Sequence, residues 1–204
     1  MVIKKGKTSF SAKRKKIVPI KPKNKDCRSR EYLTYQEIEK IRVEAKNGAY
    51  GHRNDTIILM MFRHALRVGE VASLRWDQVD FKKGLLHVNR LKNGVPSIHP
   101  LRGIELRALR KLQRVNESSY IFTTKRGTPI ATRTIHFIIA RAGEKAGFDF
   151  SIHPHMLRHS TGFYLVNKGH DTRAIQSYFG HVSINHTVRY TELSPARFKD
   201  FWKD

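Results

Sequence analysis

Apolar residues recur at helical spacing along most of this chain and switch to strand-like alternation chiefly in one stretch, residues 78–100. That interruption constrains the fold more than any other feature. Residues 78–82, 85–90 and 95–100 read as three strands, with Lys83-Gly84 and Asn93-Gly94 as the turns, Asn-Gly being the strongest short hairpin signal. Ahead of them, Thr34 and Glu37 form a capping-box pattern before Ile38, Ile41 and Ala45, and Asn47-Gly48 supplies the stop. A second helix is expected over roughly 53–66, around the apolar block Ile57–Phe62, and a short third follows Gly69. After the strands, helices are expected at about 104–115, 132–146, 155–168, 172–179, 184–190 and 195–202. Gly147, Gly169 and Gly180 fit as their stops and Asp171 as an N-cap. A short Tyr120-Ile121-Phe122 strand breaks the series. The fold class is α+β, a mostly helical domain with a small three-stranded antiparallel sheet.

Residues 1–30 hold twelve Lys and Arg against Asp26 alone, a charge of +11 on a segment with few apolar residues. Such a segment cannot bury enough surface to offset its chain entropy, so it reads as a flexible basic arm ahead of a domain at 31–204. The rest of the chain carries +12 of the total +23, so the body is basic too and a polyanion is the default partner. Lys13, Arg14, Lys15 and Lys16 are the arm's expected DNA contacts, a solvated tail being the plainer alternative. No basic amphipathic helix with a Trp, Phe or Leu face points to an anionic membrane. The longest apolar run, Ile57–Phe62, is too short to span a bilayer. Cys27 is the only cysteine, which excludes an internal disulfide and fits a reducing compartment. The N-terminus lacks the apolar stretch of a signal peptide, so a cytoplasmic, nucleoid-associated protein is expected.

Six scattered residues suit phosphate chemistry without a metal: Arg67, Lys92, His155, Arg158, His181 and Tyr190. Each also has an ordinary reading. Arg67 with Glu70 three residues on makes a structural ion pair, and a lysine at a hairpin tip is usually a solvated charge. A histidine after a stop glycine often caps carbonyls. Tyrosine near a C-terminus is commonly core or surface filler. The sharpest local signal is His155-Met156-Leu157-Arg158-His159, because residues i and i+3 of a helix share a face. His153, His155 and His159 could suggest zinc, but no cysteine cluster or acidic ligand accompanies them and Arg158 would repel the cation.

In company these residues resemble the tyrosine recombinases, the lambda-integrase-like family. The matching elements are Leu66-Arg67-x-x-Glu70, Lys92 on its hairpin, His155-x-x-Arg158-His159, Gly180-His181 and Thr187-x-x-Tyr190, in the family's order over about residues 32–202. Within the family, the stretches Leu85–Pro96 and His153–His159 are similar to the short invertases that flip fimbrial promoter switches. Met156 stands where many relatives have aspartate, and no separate core-binding domain precedes residue 31.

The resemblance implies a site-specific DNA strand transferase that needs no cofactor. Tyr190 would attack the scissile phosphate to form a 3′-phosphotyrosyl link, with His155 as candidate base. Arg67 and Arg158 would grip the phosphate, His181 would add a hydrogen bond, and Lys92 would protonate the leaving 5′-oxygen. Glu70 and His159 would act as supports. It also implies a homotetramer on double-stranded recombination sites, with the tail carrying Leu193, Phe198, Phe201 and Trp202 docked on a neighbour, packing on its own core being the plainer alternative. Arg126, Arg133, His136 and Arg141 are candidate DNA contacts near the 132–146 helix. Two rivals stand beside this reading: a type IB topoisomerase-like relaxase using the same tyrosine chemistry, and a non-catalytic basic DNA-binding regulator.

Overall fold

The structure, a computed structural model, describes residues 30–91 and 94–192. The basic arm, Lys92, Asn93 and the expected 195–202 helix lie outside the described residues. Among the described residues, eight α-helices and three strands follow in order, with a 3-10 turn at Trp76–Gln78 before the first strand: α1 Tyr35–Lys46, α2 Gly51–His64, α3 Val68–Ala72, β1 Val79–Asp80, β2 Leu85–Val88, β3 Ser97–Pro100, α4 Gly103–Gln113, α5 Thr132–Lys145, α6 Pro154–Asn167, α7 Thr172–Phe179 and α8 Asn185–Glu192. No helix among the described residues is long and apolar enough to cross a membrane.

Helix α2 is central, packed against α1, α4, α5 and α6. Its run Ile57 to Phe62 is therefore buried all round rather than along one stripe. Ile38 and Ile41 of α1, Leu109 of α4, Ile135 and Ile139 of α5, and Met156 and Leu157 of α6 close the main core around it. A second, smaller core gathers Ala65, Phe163, Val166, Ile175, Phe179 and Tyr190. It lies where α2, α6, α7 and α8 meet, so the functional tyrosine candidate sits in packed apolar surroundings.

The caps form as their residue types require. Thr34 accepts from the Glu37 amide at 3.3 Å while Glu37 accepts from the Thr34 amide at 2.7 Å. Asp171 caps α7 by accepting from Ala174 N at 2.9 Å. Helix α2 ends earlier than its apolar pattern suggests, because Ala65 turns left-handed at φ 50°. At that end His64 Nε2 lies 2.8 Å from Glu105 Oε1, both side chains buried, which ties α2 to the start of α4.

The sheet is antiparallel in the order β1-β2-β3, with Leu86 opposite His99 and Val88 opposite Ser97. Its strands are shorter than the alternation predicts. The expected 85–90 strand stops at Val88 and the 95–100 strand starts at Ser97, so residues 89–91 and 94–96 lie outside the ladder. The reason lies in where the backbone donors go. Leu91 N donates to Glu70 Oε1 at 3.2 Å and Val95 N to the Gly180 carbonyl at 3.2 Å, so neither serves the ladder. The expected 78–82 strand shrinks to two residues because Asp80 Oδ1 accepts from the amides of Lys82 and Lys83, both at 2.9 Å, and turns the chain. The expected 120–122 strand is a single bridge between Arg75 and Tyr120.

Candidate active site

The site forms where the C-terminal end of α2 meets α3, α6, α7 and α8. The left-handed Ala65 aims its carbonyl at two guanidinium groups, accepting from Arg158 Nη1 and from Arg90 Nη1 at 3.4 Å. Ala65 is the only non-glycine residue with positive φ among the described residues, so this carbonyl is set at some backbone cost.

Arg67 precedes α3 by one residue. Glu70, in the first turn of that helix, accepts from Arg67 N at 2.9 Å and from Arg67 Nη1 at 2.8 Å. Burial would raise the Glu70 carboxyl, but the Arg67 amide and the Arg90 and Arg67 charges prevail and hold it below the usual carboxylate range. The Arg67 side chain keeps 23% of its surface exposed, while its partner Glu70 is buried.

Arg158 is buried on α6. Its Nη2 donates to the Phe179 carbonyl at 3.0 Å and to His181 Nε2 at 3.0 Å, and its guanidinium lies 4.7 Å above the Phe179 ring. Burial, then the Arg67 and Arg90 charges, push Arg158 down to about 9, which still leaves it a cation at neutral pH. His181 follows Gly180, whose left-handed φ of 63° stops α7 and whose close approach to the Arg90 stem leaves no room for a Cβ. His181 Nδ1 lies 2.8 Å from Thr187 Oγ1. Burial, then Arg158 and His186, lower His181 to about 3, so it is neutral at pH 7. With Nε2 accepting from Arg158, the ring proton sits on Nδ1 and is donated to Thr187.

Tyr190 of α8 is buried at 2% exposure. Its ring packs edge-on to Phe163, tilted on Phe179, and flat against Gly162 of α6, where a Cβ would come within 2.6 Å of the ring. Burial raises the hydroxyl above its ordinary value, opposed by the Arg158, Arg189 and Arg67 charges. Its partner is His159 Nδ1 at 3.2 Å. Burial, then His155 and Arg189, push His159 down to about 4, so at neutral pH its ring is uncharged and Nδ1 can accept the hydroxyl's hydrogen bond.

Arg67, Arg158, His181 and Tyr190 are thus brought to one site. His155 differs from its expected place: it stays exposed on the first turn of α6, its ring stacked on His159 at 5.6 Å. The histidine on the tyrosine hydroxyl is His159, one turn deeper, because α8 crosses α6 at Gly162 rather than near the helix start. Lys92 and Lys13, Arg14, Lys15 and Lys16 lie outside the described residues. Arg126, Arg133, His136 and Arg141 are all exposed, the last with its guanidinium 5.9 Å from the Phe137 ring.

Arg90 was missed. It is buried and bonded to Glu70 Oε2 at 3.0 Å, beside both phosphate-gripping candidates. The signal was present: Leu86 and Val88 face inward, and strand alternation puts residue 90 on the same side.

Residues 31–197 match the family described as the Phage integrase family. The chain is 40% identical over 187 residues to the type 1 fimbriae regulatory protein FimB of Escherichia coli (strain K12), covering 88% of this chain and 94% of that protein. Among solved structures, the XerA recombinase crystal structure superposes with a TM-score of 0.72 at 26% identity, covering 83% of this chain and 63% of that one. A lambda integrase dimer bound to a COC′ core site shares the fold, with a TM-score of 0.66 at 22% identity over 85% of this chain and 50% of its own. The chain therefore spans just under two thirds of the XerA chain and half of the lambda integrase chain.

Proposed function

The chain belongs to the phage integrase family and is a tyrosine-type site-specific DNA recombinase, and we propose that Tyr190 is its nucleophile. The Tyr190 oxygen attacks the scissile phosphorus, the bond from phosphorus to the 5′-oxygen breaks, and a 3′-phosphotyrosyl link forms. The observation that carries this reading is the convergence of Tyr190, Arg158, Arg67 and His181 from four separate parts of the chain, Arg158 bonded to His181 and the Arg158 and Arg67 charges acting on the Tyr190 hydroxyl.

At an ordinary pKa near ~10, about one tyrosine in a thousand is ionised at pH 7, a deficit of roughly 4 kcal/mol. Burial enlarges that deficit here, so the proton needs an acceptor. His159 takes it, being neutral and within hydrogen-bond distance. Arg67 and Arg158 grip the non-bridging oxygens, where planar forks match phosphate and gain strength as charge accumulates. The phosphate displaces the Arg158 contact at His181 Nε2; the ring proton then moves to Nε2, and Thr187 donates to Nδ1. Lys92 protonates the leaving 5′-oxygen. In support, Leu91 just before it and Val95 three positions after it are tied to the site, Leu91 to Glu70 and Val95 to Gly180.

A 5′-hydroxyl from a second duplex reverses the step and joins new partners, so two double-stranded sites and a homotetramer form the working assembly, within the nucleoid. The tail after Glu192, with Leu193, Phe198, Phe201 and Trp202, docks on a neighbouring subunit. A cavity of about 500 Å³ between α2, α4, α6 and α7, lined by Phe62, Tyr164, Leu165, Ile175 and Tyr178, supports this as its acceptor. Likeness to a fimbriae regulatory protein over nearly its whole length favours inversion of a promoter segment as the outcome. The exposed Arg126, Arg133, His136 and Arg141, together with the arm lysines, are the DNA contacts.

The test uses nicked duplexes tiled over the DNA that adjoins the coding sequence. Native protein forms a covalent adduct on one of them and Tyr190→Phe forms none. Binding without adduct by the native chain would favour a non-catalytic regulator. Relaxation of a plasmid lacking paired sites would favour the relaxase.

A further inference from the structure

Arg90 is buried to its tip, its side chain 0% exposed and that of its partner Glu70 1% exposed. A guanidinium so enclosed is out of reach of a DNA phosphate. Its Nη1 donates to Glu70 Oε2 at 3.0 Å and to the Ala65 carbonyl at 3.4 Å, and its Nη2 to the His64 carbonyl at 3.3 Å and the Tyr178 carbonyl. Its Nε is buried with no partner. Burying a guanidinium so completely is costly, and a buried ion pair is a poor device for stability alone. The arrangement of charge around Glu70 supplies another reason.

Glu70 accepts four hydrogen bonds, two on each oxygen: Arg67 Nη1 at 2.8 Å and Leu91 N at 3.2 Å on Oε1, and Arg67 N at 2.9 Å and Arg90 Nη1 at 3.0 Å on Oε2. Of its two cations, Arg67 is partly exposed to solvent and Arg90 is not. When a phosphate draws the Arg67 guanidinium away, Glu70 keeps a countercharge only because Arg90 stays. Without Arg90, that movement would strand a buried carboxylate, and Glu70 would hold Arg67 back.

Building on the reading that Arg67 and Arg158 grip the scissile phosphate, we propose that Arg90 is a positioning residue. It supplies the permanent countercharge to Glu70 that lets Arg67 transfer to substrate, and through the Ala65 carbonyl it shares with Arg158 it helps set the spacing of the two arginines. Its stem is clamped for this task. A Cβ on Gly94 would meet the Arg90 Cβ at 2.7 Å, and one on Gly180 would meet the Arg90 Cγ at 2.6 Å.

The test compares the native chain, Arg90→Met and Arg90→Lys on two nicked duplexes of the recovered site. They differ only at the scissile group, a phosphodiester in one and an uncharged methylphosphonate in the other. The neutral group gathers one less negative charge in its transition state and depends less on a well-placed guanidinium. Arg90→Met is expected to slow adduct formation at least about tenfold on the phosphodiester and less than about threefold on the methylphosphonate. Arg90→Lys, which restores charge beside Glu70, recovers part of the loss. Equal slowing on both duplexes, or none on either, overturns the role of Arg90. Should thermal melts show Arg90→Met unfolded, Arg90→Gln, which is also uncharged but keeps a hydrogen-bond donor, carries the comparison by the same criterion. Absence of adduct from the native chain overturns the recombinase reading and this inference with it, whereas native adduct with equal slowing overturns this inference alone.

Discussion

At the scale of single residues, proton transfer and close packing make separate demands on the tyrosine. His159 touches the Tyr190 hydroxyl and His155 does not share that contact, so His159→Ala is expected to slow adduct formation by about 10²-fold, in the range of a lost general base. His155→Ala should cost clearly less, and single-turnover adduct rates on one nicked duplex compare the two. Gly162→Ala tests the packing. The added Cβ would come within 2.6 Å of the Tyr190 ring, so the variant should lose about 1–3 kcal/mol of stability and most of its adduct yield. Urea unfolding and adduct formation measure these effects separately. Arg67, Arg158, His181 and Tyr190 could be picked out as candidates because each stands in a short local pattern, and packing brings them together. Which histidine faces the tyrosine was not legible, since His155 and His159 are one turn apart and only the crossing of α8 over α6 separates their roles. Arg90 hid for a related reason: a charged residue at a strand end reads as exposed until its partner Glu70, twenty positions away, is known to be buried.

At the scale of elements, most helices were legible from periodicity and caps, and the sheet was legible as a sheet but not in extent. Strand ends depend on which donors find partners off the ladder, here Leu91 on Glu70 and Val95 on Gly180. Helix α7 matters beyond its own stability, because its last turn presents the Tyr178 and Phe179 carbonyls to Arg90 and Arg158. Removing its cap by Asp171→Ala is expected to cost about 1 kcal/mol and to lower the adduct rate modestly, far less than Tyr190→Phe. Denaturant midpoints and adduct kinetics on the same preparation check both halves.

At the scale of the whole molecule, two partly buried histidines add to fully buried His99, itself pushed down by burial to about 2, in making stability depend on pH. His159 and His181 have folded values near 4 and 3, below an unfolded value of about 6.5. The unfolded chain therefore binds more protons in the window between. Their stabilising contribution is complete above about pH 6.5 and is lost as pH falls through that value toward 4. Discounted for partial exposure, the loss by pH 5 is roughly 1 kcal/mol for each, a fall of several degrees in Tm between pH 7 and pH 5 by calorimetry. The net charge of +23 predicts a steep decline of DNA affinity with salt, read as the slope of log K against log salt. Replacing Phe198, Phe201 and Trp202 together by alanine is expected to leave single-site cleavage in place and to abolish the assembly of two sites, as followed by light scattering on DNA.

Periodicity, caps and charge are local or additive properties, so the chain's order of residues already contained the helical α+β class, the basic surface and the chemical types a phosphate site needs. Depth and neighbourhood are not local. Whether a carboxylate serves one arginine or two, which imidazole meets the hydroxyl, and where a strand lets go of its ladder depend on groups dozens of positions apart competing for the same hydrogen bonds. Only packing in three dimensions decides that competition.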